Sequence, residues 1–150
     1  MIPQHKLISS FSGLQKIFQL NIEGFIHMEE FEKIHTDSSV IINSYLSRAT
    51  VKEAQLLKSV IDEEIVYDHL NLVIDLSLCE FIDSTFLGVL VYAHKKLEEN
   101  YGKLNIIMQF NANLDIFFIT SAFKFLHVFD TREEALKDFE EEFAQLKAAY

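Results

Sequence analysis

At 150 residues, 49% of them hydrophobic, the chain has the material for one domain with a real core. A formal net charge of −10 and a pI near 5.0 disfavour nucleic acid and anionic membrane surfaces as partners, because both repel an acidic protein. Cys79 is the single cysteine, which excludes an internal disulfide, and no apolar run approaches the ~20 residues that span a bilayer.

The first six residues lack the apolar core of a secretion signal, so a cytoplasmic location is expected. Leu7, Phe11, Leu14 and Phe18 follow at spacings of four and three, with Ile8 and Ile17 alongside, which predicts an amphipathic helix. Residues 1–28 therefore read as a helical N-terminal extension, folded onto its own domain or pairing with a partner, and residues 29–150 as the main domain. Gly24 marks a turn after that helix.

Residues 31–35 and 40–46 read as strands joined by the polar turn Thr36-Asp37-Ser38-Ser39, a hairpin. Thr50-Val51-Lys52-Glu53 is a capping box, and Ala54, Leu57, Ile61 and Ile65 lie on one face of the helix it opens, which ends near Asp68. Leu70, Leu72, Ile74 and Leu76 alternate along the next strand, and Val73 on its other face predicts cover on both sides. After Asp83-Ser84-Thr85, the stripe Leu87, Leu90, Val91 and Leu97 predicts a helix stopped by Asn100-Tyr101-Gly102. Residues 103–108 form the following strand, which makes the connection a right-handed crossover between parallel neighbours. Residues 113–121 read as a short helix and residues 125–129 as an edge strand. Thr131-Arg132-Glu133-Glu134 opens a last helix, whose Leu136, Phe139, Phe143, Leu146 and Tyr150 form a narrow seam at seven-residue period. That seam can lie on the sheet, on the N-terminal helix, or on another copy of the chain.

The candidate functional stretch is the junction where strand hands over to helix, Phe81-Ile82-Asp83-Ser84-Thr85-Phe86-Leu87-Gly88. Asp83, Ser84 or Thr85 can each cap the backbone N–H groups a new helix leaves unpaired, and the positive end of that helix tolerates an added anion. Gly88, one turn into the helix, reads as a close-packing position rather than part of a phosphate-cradling loop. Hydrolytic chemistry is disfavoured: Ser84 and His94 are ten residues apart on one predicted helix, ~15 Å along its axis, so with Asp83 they form no triad. His5, His27, His35, His69 and His127 are scattered without zinc-site spacing, and one cysteine supplies no thiolate cluster, so no metal or cofactor is expected. The acidic runs Asp62-Glu63-Glu64 and Glu140-Glu141-Glu142 read as solvated helix faces. From the residues alone, Ser84 is a helix cap or a modifiable hydroxyl.

The run Leu72-Val73-Ile74-Asp75-Leu76-Ser77, then Phe81-Ile82-Asp83-Ser84-Thr85-Phe86-Leu87-Gly88, resembles the signature of the STAS family, the sulphate-transporter and anti-sigma-factor-antagonist domain. Ile119-Thr120-Ser121-Ala122-Phe123-Lys124-Phe125-Leu126 and Asp130-Thr131-Arg132-Glu133-Glu134-Ala135-Leu136 resemble its closing elements, and the likeness covers roughly residues 29–140. It implies an α/β fold, a STAS-like single domain with a mixed sheet of four to five strands and helices packed on it. It also implies a non-enzymatic module of bacterial transcription regulation, a phosphoprotein that switches partners. One partner would be an anti-sigma factor that is also a serine/threonine kinase, acting on Ser84 with Thr85 as the fallback acceptor, and the other a serine phosphatase. The implied docking surface is Asp83, Ser84, Thr85, Phe86, Leu87 and Val89.

Two departures stand out. Phe86 takes the place of the usual small glycine after the hydroxyl pair and would put a bulky apolar group beside the docking surface. Ser44-Tyr45-Leu46-Ser47 lacks the Gly and acidic residue of the family's Gly-Glu-Leu-Asp-like run, whose Asp often helps engage the kinase. The alternative readings are a cytoplasmic subunit of a lipid-transport complex, with Phe117, Phe118, Phe123 and Phe125 lining an apolar cleft, or a scaffold forming homodimers through its terminal helices.

Overall fold

A computed structural model describes residues 30–109 and 124–149 in full, together with the backbone of two short strands before them. Those strands are β1 (Phe18–Leu20) and β2 (Ile26–Met28), antiparallel with Phe18 opposite Met28 and Leu20 opposite Ile26. The expected N-terminal helix therefore does not include Phe18. Phe-Gln-Leu and Ile-His-Met each alternate with period two, and their mutual pairing outweighs the weak helical spacing that ended at Phe18. The rest of that helix, and the turn at Gly24, fall outside the described residues.

The main sheet has five strands: β3 (Phe31–His35), β4 (Val40–Ser44), β6 (Asn71–Asp75), β8 (Lys103–Ile107) and β9 (His127–Phe129), side by side in that order. β3 and β4 form the expected antiparallel hairpin, and β4, β6, β8 and β9 run parallel. Between them come β5 (Arg48–Ala49), α1 (Val51–Val66), β7 (Phe81–Ile82), α2 (Ser84–Glu99) and, at the end, α3 (Arg132–Ala149). The short helix expected over residues 113–121 lies outside the described residues.

Both faces of the sheet are covered, as Val73 predicted. Val40, Ile42, Leu72, Ile74, Leu104 and Ile106 turn to one face and pack with Leu57 and Ile61 of α1 and Phe86, Leu90 and Leu97 of α2. Ile41, Val73 and Ile107 turn to the other and meet Ala135 and Phe139 of α3. Period two in the strands thus divides one apolar supply between two layers. Only the first half of the α3 seam is used this way, for Phe143 and Leu146 are 68% and 56% exposed and Tyr150 is not among the described residues. Arg132 ties the start of α3 to the sheet, Nη2 donating to Asp75 Oδ2 at 2.9 Å.

The α2 stop differs in detail from expectation. Tyr101, not Gly102, takes the left-handed conformation at φ 63°. Gly102 is needed for space, since a Cβ there would stand 2.3 Å from the Leu70 carbonyl oxygen. Gly88 is the reverse: a Cβ there meets nothing within 4 Å, so it is not a close-packing position.

Candidate functional site

The two-stranded pairing of β5 with β7, Arg48 opposite Phe81 and Ala49 opposite Ile82, sets two helix starts next to each other. Asp83 N–H donates to the Ala49 carbonyl at 2.9 Å; α2 begins with the next residue, Ser84, and α1 begins at Val51, two residues after Ala49. Thr50 caps α1 in a reciprocal box with Glu53, whose Oε2 accepts from Thr50 N at 3.0 Å. Asp83 caps α2, its Oδ1 accepting from Phe86 N at 2.8 Å. Its other oxygen is engaged as well: Oδ2 accepts from Val51 N, the first residue of α1, at 2.7 Å. One carboxylate therefore closes two helix N-termini, whose partial positive charges both bear on it. The sequence offered Asp83 as a local cap, but nothing in it signalled the contact 32 residues upstream.

Ser84 is the first residue of α2, and both it and Thr85 are exposed. Asp83 is half-buried, held by the bonds just described, and Val89 is half-buried against the core. Phe86 and Leu87 are not surface residues: they are 0% and 4% exposed and belong to the main core. Their expected place in a docking surface is thus corrected. Phe86, Leu90, Ala93 and Leu97 all lie buried on α2 at spacings of four, three and four, a core stripe visible in the sequence that would have given Phe86 its inward place. The bulky residue that departs from the family pattern fills the interior and leaves the surface at Ser84 unobstructed. Gly88 lies one turn beyond Ser84 on the same side of the helix and is exposed, and Val51, beside Asp83, is 62% exposed. Arg48 lies over the Phe81 ring at 4.2 Å.

His94, the third residue of the disfavoured triad, is buried and directed at Glu98 Oε2, 3.5 Å away, with its ring 6.0 Å from that of His127. Cys79 is buried, its Sγ donating to the Phe81 carbonyl, and burial pushes its thiol up from the ordinary value. It is a core thiol rather than a nucleophile. Of the aromatic residues assigned to an apolar cleft, Phe117, Phe118 and Phe123 are outside the described residues, and Phe125 is 64% exposed.

At the other end of α1 the structure gathers side chains the sequence left apart. Glu64 is not part of a solvated face. It is buried, accepting from Lys33, and within hydrogen-bonding distance of His35 and His69. Burial alone would raise its carboxyl, but the bonds from Lys33 and the histidines outweigh it and hold the group below the usual range.

The model of the STAS domain family matches residues 32–135, more than half the chain. The chain belongs to the STAS domain family. Solved structures agree in fold. An anti-sigma factor antagonist from Mycobacterium paratuberculosis is 21% identical with a TM-score of 0.64, over 72% of this chain and 91% of its own. SpoIIAA, a Bacillus cell fate determinant solved in its phosphorylated form, is 16% identical with a TM-score of 0.57, over 73% and 98%. Part of the murine anion transporter solute carrier 26 family member A9 also matches, at 13% identity and a TM-score of 0.61, over 72% of this chain and 18% of the transporter. At these identities the likeness is one of fold. No curated protein matches the sequence. STAS domains are in general regulatory modules rather than enzymes, and among the described residues of this one no helix is long and apolar enough to cross a membrane.

Proposed function

We propose that this STAS domain is a non-enzymatic partner switch of the anti-sigma factor antagonist kind. In its unmodified form the surface around Ser84 holds an anti-sigma factor that is also a serine kinase, so that a sigma factor is released. Phosphorylation of Ser84 by that kinase ends the contact, and a serine phosphatase restores it, all within the bacterial cytoplasm. The observation that carries this reading is the exposed Ser84 hydroxyl at the first position of α2, directly after a capping aspartate.

A phosphate on Ser84 adds about −1.5 to −2 charges at the positive ends of two adjacent helices, where the fold tolerates it. The same charge, beside the Asp83 carboxylate, repels and resists desolvation under a docked partner. A penalty of even ~3 kcal/mol lowers affinity more than a hundredfold. The exposed Val51, bare Gly88 and half-buried Val89 supply the apolar contact that the unmodified surface offers. Burial of Phe86 removes the steric objection raised by its size.

Incubation with a candidate serine kinase from the same genome and ATP, followed by a phosphate-affinity gel, tests the acceptor. The native protein is expected to shift and Ser84→Ala to stay in place. A full shift of Ser84→Ala would remove Ser84 from the account and leave Thr85 as the acceptor to test.

A further inference from the structure

We propose that His35, Glu64 and His69 form a binding site for one divalent transition-metal ion, with zinc the best match. The three residues come from the end of β3, the last turn of α1 and the loop between α1 and β6. Their ligand atoms, His35 Nε2, His69 Nδ1 and a Glu64 carboxylate oxygen, all lie within 4.8 Å of one another.

The carboxylate is a prepared ligand. The Glu64 side chain is 2% exposed, and Lys33 Nζ, 2.9 Å away, occupies its Oε1. That leaves Oε2 aimed at both imidazoles, 3.2 Å from His35 Nε2 and 2.6 Å from His69 Nδ1. A partner outside the ligand shell that fixes one carboxylate oxygen and presents the other is the usual support of a metal-binding carboxylate. His69 is held as well, because its backbone N–H donates to the Glu64 carbonyl at 2.9 Å. The histidine side chains are 49% and 43% exposed, so an ion can reach them without unfolding the core.

Geometry and charge both fit. Zinc takes nitrogen and oxygen ligands at about 2.0–2.2 Å, which sets neighbouring ligand atoms about 3.3 Å apart in a tetrahedron. The His35 to Glu64 distance is already there, and the His69 contact has to open by a fraction of an ångström. Lys33 is shared with Glu63, so Lys33, Glu63 and Glu64 together carry a net single negative charge that does not oppose a dication. Two imidazoles and one carboxylate leave a fourth position, and both histidines line a cavity of about 370 Å³ together with Asp37 and Asp68 among others. Two histidines with a carboxylate and one open position is a recognised zinc ligand set, and imidazole also suits nickel, copper and iron.

The site is remote from Ser84. His35 pairs with Val40, which pairs with Leu72, so the cluster is at the end of the sheet where the parallel strands begin. Along α1, Glu64 stands 13 residues from Val51, a rise of ~20 Å. A bound ion would pin the edge strand β3 to the end of α1 and the loop that follows.

The test is calorimetric titration of chelator-treated full-length protein with Zn²⁺ alone, with Co²⁺ as a spectroscopic probe in parallel. The expected result is one ion per chain, a Co²⁺ spectrum of low coordination number, and affinity at least about tenfold weaker in His35→Ala and in His69→Ala. Because both histidines are substantially exposed, those variants are expected to fold, which circular dichroism of each checks. Glu64→Gln, a buried change, serves only as a third variant. No uptake of either ion, or uptake unchanged in both histidine variants, would overturn the proposal, the latter by assigning the ion to other histidines.

Discussion

Asp83 Oδ2 stands 2.7 Å from the backbone nitrogen of Val51, so the residue that caps α2 also closes the start of α1. Removing that carboxylate strips a hydrogen bond from each of two helix ends. With about 1 kcal/mol for each capped N–H, Asp83→Ala is expected to lose about 2 kcal/mol in urea melts. Ser84→Ala, one residue on and exposed, is expected to stay within about 0.5 kcal/mol of the native protein. That contrast separates the framework of the site from its proposed switch.

Phe86 is fully buried in the core formed by one face of the sheet with α1 and its own helix α2. Phe86→Ala is therefore expected to cost about 3–5 kcal/mol, measured by the same melts. A variant of native stability would mean that Phe86 belongs to the surface after all.

The two described glycines should respond in opposite senses to alanine. Gly88→Ala adds a methyl to an exposed helical position with nothing within 4 Å and is expected to stabilise by about 0.5–1 kcal/mol. Gly102→Ala drives a Cβ to 2.3 Å from the Leu70 carbonyl oxygen and 2.8 Å from the Leu70 Cβ, so backbone must move, at a cost of about 1–3 kcal/mol. Thermal unfolding of the pair, side by side, reads both signs.

Asp75 makes acid stability measurable at one group. Its burial would raise the carboxyl, but donation from Ser77 and Arg132 outweighs burial and holds it below the ordinary value. A depressed carboxyl contributes stability that is full above its unfolded value, about pH 4, and is lost as pH falls through the lower folded value. The difference in unfolding free energy between native protein and Asp75→Asn is expected to be constant near neutrality and to shrink below about pH 4. A difference that grows on acidification would contradict the assignment.

Much of this architecture is written in local pattern. Alternation at Leu72, Ile74 and Val73 gave a central strand, and Thr50 with Glu53 gave the start of α1, because pleat and capping are decided by residues a few places apart. The candidate serine was legible for the same reason, as the residue after a capping aspartate. What escaped is what only the assembled fold brings together. Val51 reaches Asp83 across 32 residues, and His35 reaches Glu64 across 29. No spacing rule covers such contacts, and the run Asp62-Glu63-Glu64 looks solvated until β3 is laid beside α1. Phe86 is a different failure, since its core stripe was present but the motif drew attention outward. At Phe18 a helical spacing competed with a three-residue alternation, and cross-strand pairing decided.

The central claim is that the Ser84 hydroxyl gains and loses a phosphate in the cell. Intact-mass measurement of the protein recovered from its own cells, native and Ser84→Ala, before and after phosphatase treatment, addresses it most directly. The account predicts a fraction of native protein heavier by one phosphate, removed by phosphatase and missing from the variant. The same heavy fraction in Ser84→Ala, or none in the native protein under any growth condition, would contradict it.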